Sequence, residues 1–143
     1  MDILSHSPLV QTNFVLRGGY KTGSQNEFVK NIKENDFTLC PKGDGNYSAR
    51  FYETLSLGCL PVLIDTECVL PLEDEINYNE FVVRVPHAEL QNLPDLALKF
   101  YDSLTTEQFM AAQKKARETF EKYLNIGSFF KHVLTKEFLH RYE

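Results

Sequence analysis

The chain has no tryptophan, two methionines and only three cysteines among 143 residues. Cys40, Cys59 and Cys68 are odd in number and lack CxxC spacing, which argues against a disulfide framework and a structural zinc site. Cys40 and Cys59 sit in or beside apolar runs, where small thiols are commonly buried, and a reducing compartment is the simplest reading. No apolar run approaches the length of a membrane span. Met1–His6 has neither a basic nor an apolar leader region, so no secretory leader is expected. The expected location is cytoplasmic, peripheral to a membrane at most. Net charge is −5, so no global field attracts nucleic acid, and any anion site must be local. His6, His87, His132 and His140 show no HxH or HExxH spacing, and no metal ligand set is expected. Walker and GxGxxG glycine patterns are absent too, as are repeats, linkers and low-complexity stretches.

At this length one domain spanning 1–143 is expected, large enough to fold without staples. Residues 1–12 break any period and read as a loosely ordered segment. Phe14–Leu16 is a short strand candidate ending in Arg17-Gly-Gly19. Ser24-Gln-Asn-Glu27 has capping-box spacing and opens a helix to about Asn35. Phe37–Cys40 predicts a strand, Ser48–Leu57 a helix and Leu60–Ile64 a buried strand. Cys68–Glu75 is a loop or short turn around Pro71, and Phe81–Val85 is a strand closed by Pro86. Pro94 in a first turn starts another helix, carrying Leu96, Phe100 and Leu104. Thr105–Gln108 starts the next, with Phe109, Ala112, Ala116, Phe120 and Tyr123 on one face. Gly127 breaks it, and Phe129–Phe138 forms the last. Alternating strands and helices imply an α/β, Rossmann-like three-layer domain with a mainly parallel sheet and additional C-terminal helices.

In such sheets ligands bind beyond the carboxyl ends of strands. One loop at such an end is rich in anion-binding chemistry: Lys42-Gly-Asp-Gly-Asn-Tyr-Ser48, running into a helix that carries Arg50. Backbone N–H groups and the helix dipole favour a phosphate there. Gly43-Asp44-Gly45 is equally a plain tight turn. Ser48 is the expected N-cap. Arg50 opposes the dipole, which makes sense beside a bound anion or as a partner of Asp44 or Glu53. Glu53, one turn on, is either a ribose-directed carboxylate or that salt-bridge partner. Arg17 either reaches the same diphosphate or belongs to a surface turn. Gly58, with Pro61 beyond it, is explained as a helix C-cap. Asp65 starts a turn at the sheet edge, and Glu73-Asp-Glu75 reads as solvated loop charge. Asn46-Tyr-Ser48 matches a glycosylation sequon inside the anion loop and is taken as chance.

The run from Leu39 to Asp65, with Cys-Pro-Lys-Gly-Asp-Gly-Asn-Tyr-Ser-Ala-Arg-Phe-Tyr-Glu-Thr-Leu at its centre, resembles the signature of exostosin-like glycosyltransferases, family 47. The likeness continues through Leu70-Pro-Leu-Glu-Asp74, Asn77–Phe81 and Asn92-Leu-Pro94, and covers roughly residues 14–125. The resemblance implies the C-terminal, donor-binding half of a GT-B enzyme. It implies a UDP- or GDP-sugar donor, a carbohydrate acceptor and no bound metal or other cofactor. Arg50 would contact the diphosphate and Glu53 the ribose, with Arg17, Lys42, Gly43, Asp44, Gly45, Asn46 and Ser48 around the donor. Lys42 stands where the family more often has arginine, keeping the charge without the bidentate fork. Some GT-B families carry a second glutamate where this chain has Gly45, so the sugar-facing role passes to Asp44 or Asn46. A two-domain enzyme needs more than this chain supplies, so a missing N-terminal acceptor domain or a partner subunit is expected. A Golgi lumen location follows only within a longer eukaryotic protein.

Overall fold

The computed structural model describes residues 2–14 and 24–140. Strands β1 (Phe37–Cys40), β2 (Leu60–Asp65) and β3 (Val83–Pro86) form one sheet in the order β1-β2-β3. Both pairings are parallel, with Leu39 opposite Val62 and Ile64 opposite Val85. The central β2 is buried from Leu60 to Ile64, as a strand covered on both faces requires. In β3, Val83 and Val85 point inward while Arg84 and Pro86 point out.

Helix α1 is Asp2–Ser5, α2 is Ser24–Lys33, α3 is Ala49–Ser56, α4 is Leu93–Asp102, α5 is Thr106–Thr119 and α6 is Ile126–His140. On one sheet face, Phe51 and Leu55 of α3 and Ala112 and Ala116 of α5 pack with Leu63. On the other, Leu93 and Ala97 of α4 pack with Val62, Ile64, Val83 and Val85. The three layers anticipated from the alternating pattern are present, and they give the Rossmann-like arrangement.

The turn that fixes α3 against β2 is a Schellman closure. Gly58 N–H donates to Leu55 O at 3.0 Å and Cys59 N–H to Thr54 O at 3.1 Å. Gly58 has φ +69, and a Cβ there would lie 3.4 Å from Arg117 Cβ. Gly58→Ala therefore combines a left-handed backbone with a tight α5 contact. It is expected to cost about 1–2 kcal/mol in chemical denaturation. An unchanged midpoint would mean the turn is not under strain.

Several elements depart from the sequence reading for local reasons. Asp2–Ser5 forms one helical turn where a loose segment was expected, because Leu4 finds the apolar face of the α4 cluster. The candidate strand over Phe14–Leu16 and the Arg17 loop lie outside the described residues, apart from Phe14, which is exposed and in no strand. Phe81 closes a 3-10 turn over Tyr78–Glu80, so β3 starts later than the apolar run. The α4 helix ends at Asp102, leaving Leu104 in the connection. The α5 helix opens with the expected capping box, Gln108 N–H donating to Thr105 Oγ1 at 3.3 Å and Thr105 N–H to Gln108 Oε1 at 2.8 Å. It then widens into a π turn at Phe120–Leu124. The break before α6 is made by Asn125, not Gly127. The Asn125 carboxamide donates to Glu121 O at 2.6 Å and accepts from Ser128 N–H at 3.0 Å, capping both helices.

The Glu73-Asp-Glu75 segment is more than solvated charge. Glu73 pairs with Arg84 at 2.8 Å, and Glu75 takes Lys136 at 2.5 Å and His132 at 2.8 Å. Those contacts tie α6 to the loop before β3. The opposite side of α6 presents Ile126, Phe130, Leu134 and Phe138, one turn apart and all exposed.

Candidate functional site

Parallel pairing puts the ends of β1 and β2 at the same sheet edge, so the loops following Cys40 and Asp65 lie side by side. A small cleft opens between them. Tyr47, Ser48, Phe51, Tyr52, Cys68 and Val69 line it. Tyr47 and Val69 stand at its mouth, 60% and 86% exposed, while Phe51 forms part of the core beneath.

The β1–α3 loop folds on itself. Gly43 N–H donates to Tyr47 O at 2.8 Å. The Tyr47 ring lies over Gly45, where an added Cβ would meet ring carbons at 3.0 Å. Neither Gly43 nor Gly45 has a positive φ; Gly45 leaves room for the close approach of an aromatic ring and does not serve a left-handed turn. Lys42, Gly43, Asp44 and Asn46 are exposed.

Ser48 occupies the N-cap position with extended backbone, as expected, but its side chain makes no capping bond. It is buried to 5% exposure and lines the cleft. Among the described residues, the Ala49 and Arg50 amides have no hydrogen-bond acceptor, as the first turn of a helix leaves them. A helix N-terminus with open amides favours an anion.

Arg50 is half-buried, with its Cζ 4.5 Å above the centre of the Phe28 ring. This cation–π contact replaces both salt bridges considered from sequence: among the described residues neither Asp44 nor Glu53 pairs with Arg50. Glu53 sits one turn along α3 and is exposed. The charges of Arg50 and Glu53 both reach the Cys40 thiol. Burial pushes that thiol up to about 12, partly offset by the Thr54 hydroxyl and then Arg50, so Cys40 is an inert core group. All three cysteines are free. Arg17 lies outside the described residues. The structure thus gathers Lys42–Ser48, Arg50 and Glu53 around one helix end.

Asp65, at the end of β2, is a structural clamp. It accepts from Arg84 Nε at 2.8 Å and from Cys68 N–H at 3.1 Å, while Arg84 also donates to Cys68 O at 2.7 Å. Burial alone would raise its carboxyl, but the Cys68 amide and then Arg84 outweigh burial and hold it below its usual 3.8. A lowered folded value means the clamp contributes fully above 3.8 and is lost as the pH falls through the folded value. Asp65→Asn is expected to cost about 1.5–3 kcal/mol at pH 7. The same change should flatten the acid limb of stability below pH 3.8. Urea unfolding across that range checks both, and a parallel acid limb in the variant would reject the clamp.

Sequence reasoning missed Thr66, Cys68 and Val69. The carboxyl-end rule that selected the first loop also applies to the loop after β2, and it was the available signal. Among the described residues, no three His, Cys, Asp or Glu side chains gather as a metal site requires.

The sequence model of the Exostosin GT47 domain matches residues 5–100. The chain belongs to the Exostosin GT47 family. Similar curated proteins include an Exostosin-1 homolog of Caenorhabditis elegans, 29% identical over 109 residues that cover 76% of this chain and 28% of the relative. Exostosin-1 of Drosophila melanogaster is 31% identical over 104 residues, 73% of this chain and 13% of the relative. A probable β-1,4-xylosyltransferase of Arabidopsis thaliana, IRX10, is 30% identical over 87 residues, 61% of this chain and 20% of the relative. This GT47 chain therefore spans between about an eighth and little more than a quarter of the lengths of these relatives. The GT47 match takes in the glycine loop, α3 and the cleft.

Proposed function

We propose that this GT47 chain supplies the donor-binding half of a GT-B-type glycosyltransferase that moves a sugar from a UDP- or GDP-sugar to a carbohydrate acceptor. The observation that carries the reading is the α3 N-terminus. Open amides at Ala49 and Arg50 lie beside a cleft at the sheet's carboxyl edge, and a guanidinium free of carboxylate partners among the described residues stands next to them.

The chemistry follows from charge. Breaking the sugar–diphosphate bond leaves negative charge on the departing nucleoside diphosphate. Fixed backbone N–H groups and Arg50 stabilise that charge without reorganising. Lys42 adds a second positive charge at the loop entrance, and Gly43 and Gly45 keep the loop slim enough for backbone approach. Glu53 accepts hydrogen bonds from ribose hydroxyls, and Asp44 is the free carboxylate nearest to a sugar-facing role. Arg17 belongs to the same set on the strength of the resemblance. The nucleotide-sugar is the substrate, and the reading calls for no further cofactor.

The acceptor site and the general base belong to another part of the enzyme. The exposed α6 stripe at Ile126, Phe130, Leu134 and Phe138 is the apolar face available to it. That stripe also favours a second reading, a non-catalytic interaction module. Isothermal titration with UDP, GDP and their sugars separates the two. Saturable heat with one nucleotide series, lost in Arg50→Ala, supports the donor site. No heat from any of them in a folded sample supports the interaction module.

A further inference from the structure

Asn46 lines the cleft, and its carboxamide is engaged there by two groups of the chain itself. Its Nδ2 donates to Glu67 O at 3.3 Å, and its Oδ1 accepts from the Thr66 hydroxyl. Both partners lie in the loop after β2, far from Asn46 in sequence and adjacent at the sheet edge. Glu67 holds φ at 61, a left-handed conformation that side-chain-bearing residues rarely adopt. With that backbone its carbonyl faces Asn46. The loop's other closure, Gly43 N–H to Tyr47 O, is internal and does not fix the loop relative to β2. Asn46 is the hydrogen-bonded link between the β1–α3 loop and the β2 end among the described residues.

We propose that Asn46 is a positioning residue for the nucleoside diphosphate, acting through Thr66 and Glu67 and not by touching the ligand. The link sits one residue before Tyr47 and two before Ser48. It therefore sets where the mouth of the cleft and the start of α3 stand relative to β2. Releasing it leaves the core beneath intact, since Phe51, Leu55 and Leu63 are held by packing. What changes is the fraction of time the open amides at Ala49 and Arg50 share one geometry with the cleft. Preorganisation of this kind appears as affinity, because the ligand no longer has to order the loop. The inference rests on the donor-site reading for its ligand, but the link itself is a property of the unliganded chain.

Three variants of the native polypeptide test it: Asn46→Ala, Thr66→Val and the double change. Thr66→Val, which removes one of the two bonds, is expected to raise the dissociation constant for UDP or GDP about fivefold, and Asn46→Ala, which removes both, by more. The double change should do no more than the worse single one, because both break the same link. Thr66→Ser, which keeps the hydroxyl, should restore wild-type affinity. Hydrogen exchange without ligand should quicken at the amides of residues 43–48 in both single variants, more in Asn46→Ala, which loses both bonds. A merely structural role would instead lower the melting temperature and leave affinity unchanged, which overturns the proposal. Loss of affinity in Asn46→Ala with the exchange of residues 43–48 unchanged would also overturn it, by making Asn46 a direct ligand. If the parent chain binds neither nucleotide, the donor-site reading fails. Unchanged exchange in the two single variants would then refute the link independently.

Discussion

An Arg50→Ala chain is expected to bind UDP or GDP about a hundredfold more weakly than its parent, with almost no change in stability. The affinity loss follows from the bonds at stake. A guanidinium pairs with a phosphate through two parallel charge-assisted hydrogen bonds, each worth about 1.5–3 kcal/mol in a partly desolvated site. The lower end of that range, taken twice, gives about 3 kcal/mol, which is roughly two decades in affinity. The small stability change follows from two opposing effects on α3. Removing the side chain forfeits its stacking on Phe28, worth about 0.5–1 kcal/mol at an exposed site. It also removes a positive charge from the positive end of a helix, a gain of about 0.3–1 kcal/mol. The two nearly cancel, so affinity and stability separate cleanly in this variant. Arg50→Lys keeps the charge but loses the fork and the planar stack, and an intermediate loss of about tenfold is expected. A titration series on the three proteins, with a melting curve for each, checks the set. Equal affinities would detach Arg50 from ligand binding altogether.

Phe51→Ala should produce the largest loss of stability. Phe51 is 1% exposed and lies between the sheet and the cleft. Its ring meets Tyr52 edge-on at 5.2 Å and Tyr78 at 6.1 Å. Truncating a buried phenylalanine costs about 3–5 kcal/mol, from lost transfer energy and the cavity left behind. A single domain has about 5–15 kcal/mol in total, so the variant would be marginal at best. Phe51→Leu fills most of the volume and should cost less than about 1.5 kcal/mol. Denaturant midpoints read both. If Phe51→Ala lost under 1 kcal/mol, the packing described around α3 would be wrong.

Much of the site was legible because its cause is local. Glycine after an apolar helix face, with a proline soon beyond, predicts the Schellman turn at Gly58, and the positive φ is there. The glycine loop, the N-cap position at Ser48 and the apolar side of α3 at Phe51 and Leu55 follow from spacing alone. Roles set by contacts across the fold were not legible. The salt bridges weighed for Arg50 were neighbours in sequence, whereas its partner, Phe28, comes from a different helix. The partners of the Asn46 carboxamide, Thr66 and Glu67, likewise come from a loop that is distant in sequence. Glu75 read as loop charge because His132 and Lys136 reach it from a helix near the other end of the chain. Sequence spacing reports what shares a turn or a strand face. It does not report which loops the sheet brings together.

Amide chemical shifts on titrating the folded, isotope-labelled chain with UDP and then GDP test the central claim most directly. Binding at the α3 N-terminus predicts that the largest shifts fall on Ser48, Ala49 and Arg50, with the Gly43 and Gly45 amides following, and that they saturate together. Saturable shifts confined to α6 or to the far end of the sheet, with Ser48–Arg50 unmoved, would contradict it.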